Sequence, residues 1–171
     1  FLTMLCPMTR TGKGDKGPPR AELMDKIENG AVGVKVARES LKDKLMFNLG
    51  GGVCSVDGIR SDAENCLVTM EGEKVVGYAF YNGTALAVDE KMLILSSNPL
   101  SASVHHKDEE LIATILLRTP AKIGIASTKP QRVTVDDEDL APQNFAFDTK
   151  RQILTLWLTD GEHTIIINGP K

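Results

Sequence analysis

Residues 66–97 read "CLVTMEGEKVVGYAFYNGTALAVDEKMLILSS", and this stretch decides the fold. Apolar runs at 66–70, 74–81, 84–88 and 91–97 are separated by "EGEK", "NG" and "DE". Short runs rich in β-branched and aromatic residues, bounded by turn formers, read as β-strands. Asn82-Gly83 is the strongest turn signal, because both residues tolerate the positive φ of a type I′ hairpin. The stretch therefore predicts a meander of four strands.

The same style continues to the C-terminal end. "ELIATILLRT" (110–119) reads as a strand, although its length also allows a helix. "AKIGIAS" (121–127), "QRVTVD" (131–136) and "NFAF" (144–147) are shorter strands divided by turn residues. In "QILTLWLT" (152–159), Leu154, Leu156 and Leu158 alternate with Thr155, Trp157 and Thr159, the period of a half-buried strand. "TDGEH" then predicts a hairpin into "TIIIN" (164–168). Helix is scarce. Only "RAELMDKIENG" (20–30) spaces Leu23, Met24 and Ile27 helically before an Asn-Gly stop. These patterns predict an all-β fold, an antiparallel two-layer β-sandwich with little helix.

Composition excludes some classes of function. The net charge is −3 over 171 residues, so no general basic field draws nucleic acid. The one basic stretch, Arg10, Lys13, Lys16 and Arg20, lies in Gly/Pro-rich text that reads as a solvated loop. No apolar run reaches the roughly 20 residues of a membrane span, and no signal-peptide pattern follows Phe1. Cys6, Cys54 and Cys66 lack the paired spacing of a metal or redox motif. Buried thiols are the preferred reading, with one disulfide left open.

The search for chemistry finds little. "NLGGGVC" (48–54) matches no phosphate-binding loop and reads as a strand-linking turn. His105 and His106 are neighbours on a strand, so they point to opposite faces and do not share a metal. His163 falls in the "TDGEH" turn. "VDDEDLAP" (135–142) is acidic but lacks calcium-loop spacing, and reads as a solvated turn. Asn82-Gly83-Thr84 is formally a glycosylation sequon. The residues imply no catalytic group, no metal and no cofactor. Trp157 is the one candidate binding residue. On an open face it would stack on a sugar ring; on a covered face it would anchor an interface, the favoured alternative.

Two stretches carry a family resemblance. "FLTMLCPM", a basic Gly/Pro loop and "GAVGVKV" together resemble the end of the central β-sheet domain of heparinase II/III-like polysaccharide lyases. There a strand of the type FLTVLYP leads through a variable loop to GVKV. Residues 62–104 resemble the join into that family's C-terminal sheet domain, through Gly77, Asn82-Gly83-Thr84, Leu86, Leu93, Leu95, Ser97 and Pro99. "LTLWLTDGEHTIIINGP" resembles the closing hairpin of many such carbohydrate-enzyme sandwiches. Cys6 stands where an aromatic is usual.

The resemblance implies that residues 1–83 are the last strands of a central β-sheet domain and 84–171 a small C-terminal β-sandwich. An α/α toroid and the rest of the central sheet would lie upstream, which would explain why the chain opens inside a strand at Phe1. The family cleaves uronic-acid polysaccharides, such as glycosaminoglycan or alginate, by β-elimination. A Tyr or His base removes the C5 proton while a neighbouring group stabilises the developing charge. Those residues lie upstream in the family and match no position here, His105, His106 and His163 included. The resemblance further implies a periplasmic or secreted enzyme, with this portion supporting the substrate cleft. The alternatives are a stand-alone carbohydrate-binding module with Trp157 as platform, and an adhesion module, although the Cys–Trp–Cys pattern of immunoglobulin domains is missing.

Overall fold

The computed structural model describes residues 20–24, 27–107 and 109–169. Sixteen strands run through them, and every pairing is antiparallel. They are β1 (Arg20–Leu23), β2 (Ile27–Glu28), β3 (Ala31–Arg38), β4 (Leu41–Asn48), β5 (Cys54–Val56), β6 (Ile59–Ser61), β7 (Asn65–Glu71) and β8 (Lys74–Val88), then β9 (Lys91–Lys107), β10 (Glu110–Leu117), β11 (Ala121–Ala126), β12 (Arg132–Val135), β13 (Glu138–Asp139), β14 (Phe145–Asp148), β15 (Ile153–Leu158) and β16 (Gly161–Asn168). The only helical piece among the described residues is a single 3-10 turn, Pro142–Asn144. The all-β reading therefore holds.

Two long strands organise the ladder. The first part of β8 pairs with β7, and its last residues pair with β6. The first part of β9 pairs with β11, and from Leu100 onward it pairs with β10. Pro99 lies between those two ladders of β9, where its missing N–H deprives neither of a hydrogen bond. One branch thus runs β6–β8–β9–β11–β15–β14, and the other runs β7–β8–β9–β10–β16–β12. Both feed one core. Ile94, Ile123 and Leu154 come from the first branch, and Val104, Ile115 and Ile165 from the second; all are essentially inaccessible.

The expected Asn82-Gly83 hairpin is not formed. Residues 74–88 are one strand, so the stretch that opened the sequence analysis holds three strands instead of four. Asn82 does adopt a positive φ of 52°, but as a bulge where the β8–β9 register shifts. Residues 62–64 pack over that bulge and force the outcome. A Cβ on Gly83 would lie 2.6 Å from the Cβ of Ala63. Hairpin turns with both φ positive occur instead at Asp57-Gly58, Asp89-Glu90 and Asp136-Asp137, which close β5/β6, β8/β9 and β12/β13, and Asn29-Gly30 has the same pair of positive φ between β2 and β3. The expected join at 83/84 falls inside β8.

Two further expectations change. The helix predicted over 20–30 is replaced by β1 and β2, with residues 25 and 26 outside the described set. Three apolar residues make too small a face to hold a helix, whereas pairing with β3 satisfies the backbone from Arg20 to Leu23 and buries Met24. "TDGEH" does not close a hairpin either. β15 pairs with β11 and β14, while β16 pairs with β10 and β12, so this turn carries the chain from one branch to the other. Consequently His163 stands on β16, not in a hairpin turn. By contrast "ELIATILLRT" is a strand, with Leu111, Ala113, Ile115 and Leu117 all buried. "NLGGGVC" is the expected link, braced by the Asn48 side chain, which donates to Gly52 O at 2.7 Å and accepts from Gly51 N at 3.0 Å.

Candidate functional site

The first branch turns one set of side chains into the core and leaves the opposite set outward. Leu86, Ile94, Ile123, Leu154 and Leu156 are buried. On the other face, cross-strand register places Ala85, Leu95, Gly124 and Thr155 in one row. Arg60, Ala87 and Met92 form a row to one side, and Lys122 lies directly opposite Trp157 on the other. Trp157 is 63% exposed and Leu95 41%, so among the described residues this face is open. Ile153 and Ala87 are buried at the same face. A Cβ on Gly124 would lie 2.9 Å from Leu95 Cδ2 and 3.0 Å from Ile153 Cγ2, so the missing side chain lets those two close over β11.

At the β6 end the face deepens into a groove of about 910 Å³, lined by Val53, Ser55, Arg60, Asp62, Ala87 and Met92. Asp62 is committed to structure. Its Oδ1 accepts from the backbone N–H of Thr84 at 2.8 Å and of Ala85 at 3.0 Å, and its Oδ2 accepts from Thr84 Oγ1 at 2.5 Å. Arg60 has no ion-pair or hydrogen-bond partner among the described residues, and neither does the Lys122 ammonium. Asp89 and Glu90 line the same groove. Their turn has φ of 47° and 66°, an uncommon conformation for Glu.

Among the described residues, no Ser or Cys side chain is hydrogen-bonded to a histidine. His105 and His106 lie side by side on β9, and His106 is held below the usual histidine range by partial burial of its ring, then by Lys74 and His105. His163 is tied up structurally. Its Nδ1 is 2.7 Å from Asp136 Oδ2 and its Nε2 3.1 Å from Thr159 O. Among the described residues the buried Ser127 hydroxyl has no hydrogen-bond partner, although it lines one pocket of about 330 Å³ with His106, Lys74, Glu109 and Glu110. Cys54 and Cys66 are free, buried thiols, as expected. Burial pushes the Cys66 thiol up to about 12, and burial, then Asp62, pushes Cys54 up. Neither is an activated nucleophile. Cys6, Arg10, Lys13 and Lys16 lie outside the described residues, and Arg20 is exposed on β1. Among the described residues, no three His, Cys, Asp or Glu side chains form a group fit to hold a metal ion, and no helix is long and apolar enough to cross a membrane. In the acidic stretch, Asp136-Asp137 is the turn and Glu138–Asp139 is β13, where Asp139 pairs with Arg132 at 2.6 Å.

Among the described residues this face presents an exposed indole, a thioether, aliphatic surface and the unpaired side-chain charges of Arg60 and Lys122. The sequence singled out Trp157 alone. Arg60 and Lys122 carry no local motif, and only strand register sets them on the same face as Trp157. No protein-family model matches the chain, and no curated protein matches it.

Proposed function

We propose that this chain is the C-terminal β-structured portion of a polysaccharide lyase that cleaves uronic-acid polysaccharide by β-elimination. The portion itself is non-catalytic. It supports the substrate cleft, and its two branches serve as the layers of a sandwich. The upstream α/α toroid and central sheet would be its partners, in a periplasmic or secreted enzyme. The observation that carries this reading is the open outward face of the first branch, where Leu95 and Trp157 stand exposed on the sheet that leads to the groove at Arg60. Such a face suits a partner domain or a glycan. The resemblance at Gly77, Asn82-Gly83-Thr84 and Pro99 adds the family and the reaction.

The test is an assay of the full-length polypeptide that carries these residues. Polyuronate incubated with it should yield chain fragments ending in an unsaturated uronate, and a version lacking residues 84–171 should lose most of that activity. Hydrolysed, saturated ends, or no cleavage of any polyuronate, would overturn the reading. A second reading, a stand-alone carbohydrate-binding module, is favoured by the 63% exposure of Trp157 alone.

A further inference from the structure

We propose that the pocket at the Ser127 end of the core binds a small zwitterion with an apolar body, an α-amino acid of the leucine type. Both branches build it. Ser127 stands one residue beyond β11 and continues the buried alternation of Ile123 and Ile125. Its backbone N–H still donates to Gln152 O at 3.0 Å. The second branch contributes His106, two residues beyond buried Val104, with Leu111 opposite it and Ile167 opposite Leu111. The space between them is about 330 Å³, at the small end of the range for ligand pockets. Its floor is apolar, because Leu111 and Ile167 are core residues. The Ser127 hydroxyl is the one buried polar side-chain atom among the described residues without a hydrogen-bond partner. Buried polar atoms are nearly always paired, so this hydroxyl offers its hydrogen bond to a ligand.

The charges call for both signs in one ligand. Lys74 and Glu109 line the pocket, and neither side chain has an ion-pair or hydrogen-bond partner among the described residues. They stand too far apart to pair with each other. Glu109 is held in place through its carbonyl, which accepts from the Gly169 N–H at 3.1 Å, so its carboxylate stays free. Glu110 is partly engaged, since its Oε1 accepts from Asn168 Nδ2 at 2.7 Å. His106, held below the usual histidine range by burial, then by Lys74 and His105, is neutral at pH 7 and adds no charge. An anion alone would meet Glu109 and Glu110, and a cation alone would meet Lys74. A zwitterion meets each charge with its opposite. Its carboxylate faces Lys74 and accepts from the Ser127 hydroxyl, its ammonium faces Glu109, and its apolar side chain lies on Leu111 and Ile167. The site uses none of the residues of the outward face and does not depend on the lyase reading.

The experiment is a ligand-observed NMR titration of the whole chain at pH 7 with probes that share one branched carbon skeleton: L-leucine, the acid 4-methylpentanoate, the amine 3-methylbutylamine and the uncharged 4-methylpentanamide. Saturable binding of leucine is expected, with each of the others about tenfold weaker or more. Ser127→Ala should weaken leucine binding about fivefold, the worth of one ordinary hydrogen bond. It should leave the melting temperature unchanged, because that hydroxyl bonds nothing in the free protein. Lys74→Gln and Glu109→Gln should each weaken leucine binding about threefold. They should also move the preference in opposite directions, the first toward the amine and the second toward the acid. Both side chains are exposed, so neither variant endangers folding. No saturable binding of leucine, equal binding of all the probes, or a preference that neither Lys74→Gln nor Glu109→Gln shifts would overturn the proposal.

Discussion

Asp62 holds Thr84 at two points, taking its backbone N–H at 2.8 Å and its hydroxyl at 2.5 Å. The same carboxylate takes the N–H of Ala85, so one side chain replaces the ladder hydrogen bonds that the bulge in β8 interrupts. Glu64 adds a second clamp, accepting from Asn82 Nδ2 at 2.6 Å. The groove and the open face both depend on β8 changing partners here.

Asp62→Ala should therefore cost about 1.5–3 kcal/mol, the usual range for hydrogen bonds to a charged acceptor whose donors are then left unpaired. Urea unfolding measures it. A loss under about 0.5 kcal/mol would show that water satisfies Thr84 and Ala85 equally well.

Gly83→Ala should destabilise by about 1–3 kcal/mol through overpacking, since the new methyl would meet the Cβ of Ala63 at 2.6 Å and its Cα at 2.7 Å. Coupling follows from the geometry. Ala63→Gly should recover part of that loss, so the double-mutant cycle departs from additivity. Additive effects would mean that the two residues do not meet.

Asp136 gives the acid side of the stability curve a defined contribution. Its carboxyl is held below the usual range by the hydrogen bond with His163, and next by the N–H of Thr164 at 2.8 Å. A carboxyl depressed in the folded state adds stability that is present above its unfolded value of about 3.9 and is lost as pH falls through the folded value. Asp136→Asn should flatten the fall in urea midpoint below about pH 4 and leave the remaining slope to other carboxylates. An unchanged slope would contradict the pairing.

The thiols of Cys54 and Cys66 should be inert in the folded chain. Both are buried, Cys54 Sγ lies 3.5 Å from Met46 Sδ, and the Cys66 thiol is pushed up to about 12. In a Cys6→Ser background, a thiol reagent at pH 8 should label neither residue until denaturant is added. Rapid labelling of either one without denaturant would contradict their burial.

Much of the fold is legible in local pattern. The alternation at Leu154, Leu156 and Leu158 and at Leu111, Ala113, Ile115 and Leu117 reports strands because each side chain's environment follows from its own pleat. Asn82-Gly83 shows where local reading stops. Its positive φ is a local preference, but whether that preference turns the chain or bulges it is decided by Asp62, Ala63 and Glu64, about twenty residues earlier. The turn after β15 is misread for a similar reason: its residues are turn formers, yet the partners of β15 and β16 are chosen elsewhere. In the candidate site, Trp157 is conspicuous by type. Arg60 and Lys122 become visible only when register aligns β6, β8, β9, β11 and β15.

The most direct test of the central claim is the intact mass of the native polypeptide in its source, detected with an antibody raised against residues 84–171, followed by assay of that species on polyuronate. The account predicts a species several times heavier than 18.6 kDa that releases unsaturated uronate. A species near 18.6 kDa, or a heavier one that leaves every polyuronate intact, would contradict it.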